Sequence, residues 1–190
     1  MGAERPRRIP STWNSLTGHE AVDLDAPSAL AFTGAVAPLF EGAPGFLWRL
    51  AAARPFASGV GLFERARELA HSMPEPLQVE LIDAHPRLGA PPASVSAMSF
   101  REQGYDREAA ANLASEAARE RDAVAAELDR LNREYEGTFG FRYCVFVAGR
   151  SRSELLPEFA AALSRERDSE LHRALDAVVD IAADRSRTMP

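Results

Sequence analysis

The stretch REAAANLASEAARERDAVAAELDRLNREY, residues 107–135, has the clearest helical pattern in the chain. Apolar residues recur along it at intervals of three or four, and Glu and Arg fill most of the other face. This spacing predicts an amphipathic helix that packs one face on a core and ends at Gly137. The apolar stripe consists of Leu113, Ala117, Val124, Leu128, Leu131 and Tyr135.

Shorter helical patterns flank this stretch on both sides. Prolines and glycines separate them, as expected for loops between helices. Ser151-Arg152-Ser153-Glu154 is a capping-box pattern that predicts the start of a helix. The predicted helices cover residues 27–39, 46–53, 62–71, 77–84, 151–164 and 168–185.

The run from Phe139 to Val147 is apolar and aromatic, which by itself is typical of a buried strand. No other segment of the sequence provides a partner strand. We therefore predict an all-α fold, a single-domain irregular array of helices over residues 27–187. Residues 1–26 are polar and have few periodic apolar positions, so we expect a partly ordered N-terminal arm.

Composition places the chain among ordinary globular proteins. It has 190 residues, 46% hydrophobic, and a formal charge of −6 without a basic stripe, which argues against nucleic-acid binding. It has no apolar run of the ~18 residues that a membrane span needs, and no apolar segment follows the basic N-terminus as in a secretory signal. The single cysteine, Cys144, is expected in the core, and a reducing cytoplasm fits.

The sequence contains no lysine, because all 22 of its basic residues are Arg. Catalysis through a lysine Schiff base, including ordinary pyridoxal phosphate chemistry, is therefore excluded. None of the four histidines lies in a recognisable metal-binding motif, so no metal site is predicted. His71 and His172 are expected on solvated helix faces.

His85 differs from the other histidines in its position. It ends an apolar helical segment and is followed by Pro86-Arg87-Leu88-Gly89. A residue before proline is disfavoured in helical geometry, so His85 should project from a helix end toward a loop that a ligand could reach. The helix dipole alone also favours a histidine at this end, so its position leaves a structural role open.

Two further features have both a structural and a functional interpretation. Ser99 and Glu102 form a Ser-x-x-Glu pattern, which as a capping box would use the carboxylate on the backbone; Gln103 follows. The run from Phe139 to Val147 is core by composition, although Gly140 would permit a tight backbone whose amides could contact a small polar ring.

Taken in order, these features resemble the family of 2-oxo-4-hydroxy-4-carboxy-5-ureidoimidazoline (OHCU) decarboxylases. The resemblance runs from about residue 12 to about residue 187. The sequence departs from the family at Arg142, where proline is usual. The matching stretches are Leu39-Phe40-Glu41, Ala53-Arg54-Pro55-Phe56, His-Pro-x-Leu at 85–88, Ser-x-x-Glu-Gln at 99–103, Leu-Asn-x-x-Tyr at 131–135, Phe-Gly-Phe at 139–141 and the closing stretch to Arg185.

The resemblance implies a cofactor-independent decarboxylation of OHCU, a small anionic imidazoline, to (S)-allantoin in urate breakdown. The substrate carries its carboxylate on a carbon next to a C=N bond, so the ring itself can accept the electron pair that carbon dioxide leaves behind. No cofactor is therefore expected. The family also implies a homodimer.

By resemblance, His85 is the catalytic acid/base residue, since an unperturbed imidazole pKa of roughly 6.5 suits proton transfer near neutral pH. Glu102 is its catalytic partner, which either orients the imidazole or takes the substrate hydroxyl proton. Gln103 would bind the ring or ureido group, and Ser99 would bind substrate or cap its helix. The implied substrate-binding residues also include Pro86, Phe141, Arg142, Tyr143, Cys144 and Val145.

An arginine is expected to bind the substrate carboxylate through its two-pronged donor. Arg150 follows the aromatic run, whereas Arg185 matches the arginine of the family's closing stretch and is preferred. Two other functions stay open: a different lyase or hydrolase acting on a related ureido compound, and a non-catalytic helical interaction protein.

Overall fold

The computed structural model describes residues 28–110 and 115–188. All regular structure in these ranges is helical, which confirms the predicted all-α fold. None of the described helices is long and apolar enough to cross a membrane. The helices are α1 (Ala29–Val36), α2 (Pro44–Ala52), α3 (Gly59–Ser72), α4 (Glu75–Asp83), α5 (Ala97–Glu102), α6 (Tyr105–Ala110), α7 (Ser115–Phe139), α8 (Arg152–Ala162) and α9 (Arg167–Thr188), with 3₁₀ turns at Ala37–Phe40 and Pro92–Ser94.

Most predicted helices are present with ends shifted by a few residues, and Ser151 opens α8 with the predicted capping box. The arm predicted for residues 1–26 lies outside the described residues, as does Leu113, so both stay predictions. The prediction that Gly137 ends the long helix is wrong, because α7 continues to Phe139. Gly140, at a φ of +80°, follows the helix and donates its N–H to the Glu136 carbonyl; a left-handed residue is usual there.

The apolar face of α7 packs on the aromatic run that follows it. Tyr135 is fully buried, and its ring centroid lies 4.5 Å from that of Phe139, 5.2 Å from that of Tyr143 and 5.8 Å from that of Phe159. Residues 141–147 cross the core without regular secondary structure. Their strand-like composition therefore reflects burial and not sheet pairing.

A buried carboxylate joins α7 to α9. Glu170 is 0% exposed, and its Oε1 accepts hydrogen bonds from the Tyr135 hydroxyl (2.8 Å) and Arg173 Nε (2.8 Å). Arg165 Nη1 lies 2.9 Å from the other oxygen. Burial alone would raise the pKa of Glu170, but hydrogen bonds and charge from Arg173 and Arg165 lower it. The carboxylate is therefore held ionised inside the core.

Ion pairs and a histidine pair join α3 to α9. Arg67 bonds Asp176 at 2.5 Å and Asp180 at 2.6 Å. His71 stacks on His172 at a centroid distance of 4.8 Å, and its Nε2 lies 2.9 Å from Asp176 Oδ1. The sequence predicts that the two histidines are solvated separately. They are instead partners, because folding brings α3 and α9 together.

We predict that Tyr135→Phe lowers the free energy of unfolding by about 1.5–3 kcal/mol, because it removes a buried hydrogen bond to a charged carboxylate. Tyr143→Phe is the matched control, since the Tyr143 hydroxyl is buried without a hydrogen-bond partner among the described residues. Its loss should be neutral or stabilising. Urea unfolding of both variants measures the difference, and equal destabilisation would contradict the assigned role of Glu170.

Candidate active site

A cavity of about 580 Å³ opens between four segments of the chain. These are the loop that follows α4, helix α5 with the start of α6, residues 143–149, and the last turns of α9. The volume suits a small ring compound. The predicted residues that line it are His85, Pro86, Ser99, Glu102, Gln103, Tyr143, Cys144, Val145 and Arg185.

His85 lines this cavity, and only one of its two ring nitrogens is engaged by the described residues. Its Nδ1 lies 3.3 Å from the Leu81 carbonyl oxygen, which can only accept, so we assign the ring proton to Nδ1. Nε2 is buried and has no hydrogen-bond partner among the described residues. The Leu81 carbonyl therefore orients the imidazole. Of the two roles expected for Glu102, orienting the imidazole is not supported by a contact.

The environment of His85 changes the expected chemistry. Burial and then the charge of Arg185 lower the pKa of His85 to about 4, against smaller opposing effects of Glu41 and the Leu81 carbonyl. The ring is therefore neutral at physiological pH, and its Nε2 is a proton acceptor. The near-neutral pKa expected from the sequence is corrected by this burial.

The loop that carries His85 is fixed by residues outside the cavity. Arg142 Nη1 donates to the Asp83 and His85 carbonyls at 2.6 and 3.0 Å, and Asn132 Nδ2 donates to the Leu88 carbonyl at 3.0 Å. Arg142 and Phe141 were predicted to bind substrate, but neither lines the cavity. In this structure Arg142 supports the loop that carries His85.

Helix α5 places Ser99 and Glu102 on the cavity. Ser96, not Ser99, caps this helix, because the Ser96 hydroxyl oxygen accepts the Ser99 backbone N–H at 3.1 Å. The capping-box interpretation of Ser99 and Glu102 is therefore wrong. Both side chains are free of capping and available to the site.

Gln103 reaches across to the histidine loop. Its Oε1 accepts the Gly89 N–H at 2.7 Å, and its Nε2 donates to the Arg87 carbonyl at 3.2 Å. Gly89 has a φ of +81°, and a Cβ there would lie 2.8 Å from the Leu128 side chain, so only glycine suits this close turn. One amide hydrogen of Gln103 stays available to a ligand.

Arg185 is 2% exposed and binds Glu102 with a two-pronged contact. Its Nε lies 2.6 Å from Glu102 Oε1 and its Nη2 lies 2.8 Å from Oε2. Nη2 also donates to Glu41 at 2.8 Å, while Nη1 faces the Pro38 and Leu39 carbonyls at 3.1 and 3.3 Å. All five guanidinium N–H groups thus have protein acceptors nearby. This geometry does not support Arg185 as the ligand of a substrate carboxylate.

The other arginine candidate is also engaged elsewhere. Arg150 does not line the cavity and donates to Val147 O, Glu158 and Phe146 O. Arg101 and Arg107 do line it, and within the described ranges neither guanidinium has a protein partner. Neither residue stands out in the sequence, because Arg101 lies between the motif residues Ser99 and Glu102, and Arg107 lies in a run of charged residues typical of a solvated helix face.

Cys144 is buried, as predicted, although one side of it faces the cavity. Burial raises the pKa of the Cys144 thiol to about 12, so it is not a thiolate at neutral pH. No group of three or more histidine, cysteine or acidic side chains in the described ranges could hold a metal ion. The available chemistry there is that of an imidazole base, a paired carboxylate and amide donors.

Three known proteins similar to this chain are named for uric acid degradation or for OHCU decarboxylation. PucL, the uric acid degradation bifunctional protein of Bacillus subtilis (strain 168), is 29% identical over 84% of this chain. The uric acid degradation bifunctional protein of Bacillus sp. (strain TB-90) is 24% identical over 84%. The chain spans about 30% of the length of both. The 2-oxo-4-hydroxy-4-carboxy-5-ureidoimidazoline decarboxylase of Amia calva is 27% identical over 67% of this chain and 70% of its own length.

Solved structures show the same fold. A crystal structure of OHCU decarboxylase in the presence of (S)-allantoin matches with a TM-score of 0.59 and 19% identity, over 80% of this chain and 94% of that one. A crystal structure of (S)-allantoin synthase matches with a TM-score of 0.59 and 16% identity, over 87% and 52%. The family model for OHCU decarboxylase matches residues 25–187. This chain belongs to the OHCU decarboxylase family.

Proposed function

We propose that this protein is a cofactor-independent carboxy-lyase that converts OHCU to (S)-allantoin in urate breakdown. Support comes from one observation: His85, with its Nε2 free of protein partners in the described ranges, lines one cavity together with Glu102 and Gln103 in a member of this family. A non-catalytic interaction protein gives no reason for this convergence. An assay with freshly made OHCU distinguishes this activity from that of a different lyase or hydrolase acting on a related ureido compound.

The reaction removes carbon dioxide and adds one proton. The bond between the ring carbon and the carboxylate breaks, its electron pair forms a C=C bond to the neighbouring ring carbon, and the C=N pair moves onto nitrogen, which takes up a proton. A second proton then enters that neighbouring carbon on one face of the ring, and the hydroxyl becomes a carbonyl as its own proton leaves, so that one proton is gained overall. The protein must therefore hold the ring, accept the hydroxyl proton and protect the face to be protonated.

In our proposal, His85 Nε2 accepts the hydroxyl proton. An anionic substrate beside the ring would favour the protonated imidazole while carbon dioxide leaves, which helps a base of low pKa. Glu102 has acceptor capacity beyond its two Arg185 bonds and would bind ring or ureido N–H groups. The spare amide hydrogen of Gln103 would bind a ring or ureido carbonyl.

We further propose that Arg107 binds the substrate carboxylate. Its guanidinium lies over Gly104, where an added Cβ would lie 2.9 Å from Nη2. The absence of a side chain at this position thus leaves room for the guanidinium beside Gln103 at the cavity wall. Arg101 is the second candidate, since it too lines the cavity without a protein partner in the described ranges.

We expect His85→Asn to lower kcat by roughly 100-fold or more, because it removes the proposed base. His172→Asn, a substitution on an exposed position of α9, is the matched control and should stay active. Circular dichroism should show both variants folded. A folded His85→Asn enzyme within a few fold of wild type would contradict the assignment.

The pH dependence of the wild-type enzyme follows from the same residue. With its pKa lowered to about 4, His85 is an unprotonated base at neutral pH and gains a proton only as the pH falls through about 4. We therefore expect kcat/KM to be level down to about pH 5 and to decline below it. An acid limb near pH 6.5 that His85→Asn removes would contradict a neutral, buried imidazole.

For the carboxylate, we expect Arg107→Gln to raise KM for OHCU about three- to tenfold, because an exposed guanidinium gains less from an ion pair than a buried one. Binding of (S)-allantoin, which lacks the carboxylate, should be unchanged. Arg119→Gln is the charge-matched control, exposed on α7 and outside the cavity lining. Steady-state kinetics and calorimetry decide; equal weakening of both ligands would contradict a carboxylate contact.

We also propose a homodimer in a reducing cytoplasm. The family resemblance supports the dimer, and the lone Cys144 fits the compartment. Trp48, 55% exposed on α2, offers an apolar side chain to a contact between copies. Sedimentation equilibrium should give twice the chain mass, and a monomer at micromolar concentration would contradict the dimer.

A further inference from the structure

Glu41 lies behind the cavity, on the far side of Arg185. It follows the 3₁₀ turn Ala37–Phe40 and has a φ of 51°, in the left-handed region that residues with a Cβ seldom adopt. Its side chain is 13% exposed and does not line the cavity. An unfavourable backbone conformation at a largely buried carboxylate indicates that contacts of the side chain stabilise it.

Three donors converge on a single oxygen of this carboxylate. Glu41 Oε1 accepts hydrogen bonds from the Ser96 hydroxyl at 2.8 Å, the Ser99 hydroxyl at 2.7 Å and Arg185 Nη2 at 2.8 Å. Ser96 caps α5, and Ser99 lies one turn into it. Glu41 thus joins the N-terminus of the helix that carries Glu102 to the guanidinium that binds Glu102.

These bonds determine how Ser99 faces a ligand. A serine hydroxyl has one hydrogen, and Ser99 gives it to Glu41. Its oxygen also lies 3.0 Å from Arg185 Nη2, which donates to it. The remaining lone pair can only accept, so Ser99 offers the cavity an acceptor and not a donor. Glu102 is likewise an acceptor, which makes this wall complementary to N–H groups.

Glu41 also determines the net charge of the cluster that it forms with Arg185 and Glu102. Arg185 carries one positive charge between two carboxylates, Glu41 and Glu102, so the three together carry one negative charge. Burial would raise the pKa of Glu41, but the charge of Arg185 and the hydrogen bonds from Ser99 and Ser96 lower it. The carboxylate therefore stays ionised while a substrate binds.

We propose that Glu41 is a positioning residue that locks α5 against Arg185, so that Glu102 and Ser99 face the cavity as hydrogen-bond acceptors for the N–H groups of a ureido-imidazoline. The inference rests on the function proposed above. Glu41 itself touches neither the cavity nor the reacting atoms. It acts by fixing the direction of the Ser99 hydroxyl, the pose of Glu102 and the charge near His85.

Two substitutions separate the charge of Glu41 from its shape. Glu41→Gln keeps the shape and removes the charge, so kcat should fall tenfold or more while KM changes less than threefold. Glu41 opposes the lowering of the His85 pKa, so the acid limb of kcat/KM should move to lower pH in this variant. Glu41→Asp keeps the charge but shortens the reach, so kcat should fall while the acid limb stays in place.

Glu80→Gln is the matched control. Glu80, on α4, also accepts a hydrogen bond, from the Gly45 N–H at 2.8 Å, but it does not line the cavity. This substitution should change neither kcat nor the pH at which kcat/KM declines. Wild-type kcat and an unmoved limb in Glu41→Gln would overturn the proposal, as would loss of folded protein with normal activity per folded molecule. NMR titration measures the pKa of His85 in Glu41→Gln without turnover, so it tests the effect of Glu41 separately from the proposed function. A wild-type protein that is inactive on OHCU would refute the proposed function alone.

Discussion

The site depends on the burial of one guanidinium. A cation removed from water is strongly destabilising unless carboxylates and carbonyls replace the lost hydration. For Arg185, at the C-terminal end of α9, these acceptors come from the turn Ala37–Phe40, from Glu41 and from Glu102 on α5. Residues 37–41 and α5 must therefore meet around the end of α9, although all three are far apart in sequence. Helices α5 and α9 then contribute to the wall of the cavity.

The same charge shapes the chemistry of His85. Burial already disfavours a second proton on the imidazole, and the nearby positive charge disfavours it further. Because Nδ1–H donates a hydrogen bond to the Leu81 carbonyl, the ring is held as one neutral tautomer whose Nε2 is free of protein partners in the described ranges. In the proposed reaction His85 would thus start as an unprotonated base.

Local patterns in the sequence predicted what local forces determine. Apolar periodicity placed most helices, and the resemblance to a known family singled out His85, Ser99, Glu102 and Gln103, which the fold brings to one cavity. The failures arise where distant contacts decide. Ser96 and Ser99 both precede helical residues, and the bond from the Ser99 N–H to the Ser96 hydroxyl shows that Ser96 caps α5. The Ser99 hydroxyl is instead engaged by Glu41 and Arg185, which are distant in sequence. The occupied donors of Arg185 likewise depend on residues about 145 positions away, which no local pattern reveals.

Burial and the positive charge of Arg185 keep His85 neutral and its Nε2 unprotonated. Nitrogen-15 NMR of the wild-type protein at pH 7 tests this directly, because the shifts of the two ring nitrogens distinguish the tautomers from the imidazolium. We expect a protonated Nδ1 and an unprotonated Nε2 for His85 that persist down to about pH 5. A His85 imidazolium at pH 7, or a ring protonated at Nε2 alone, would contradict it.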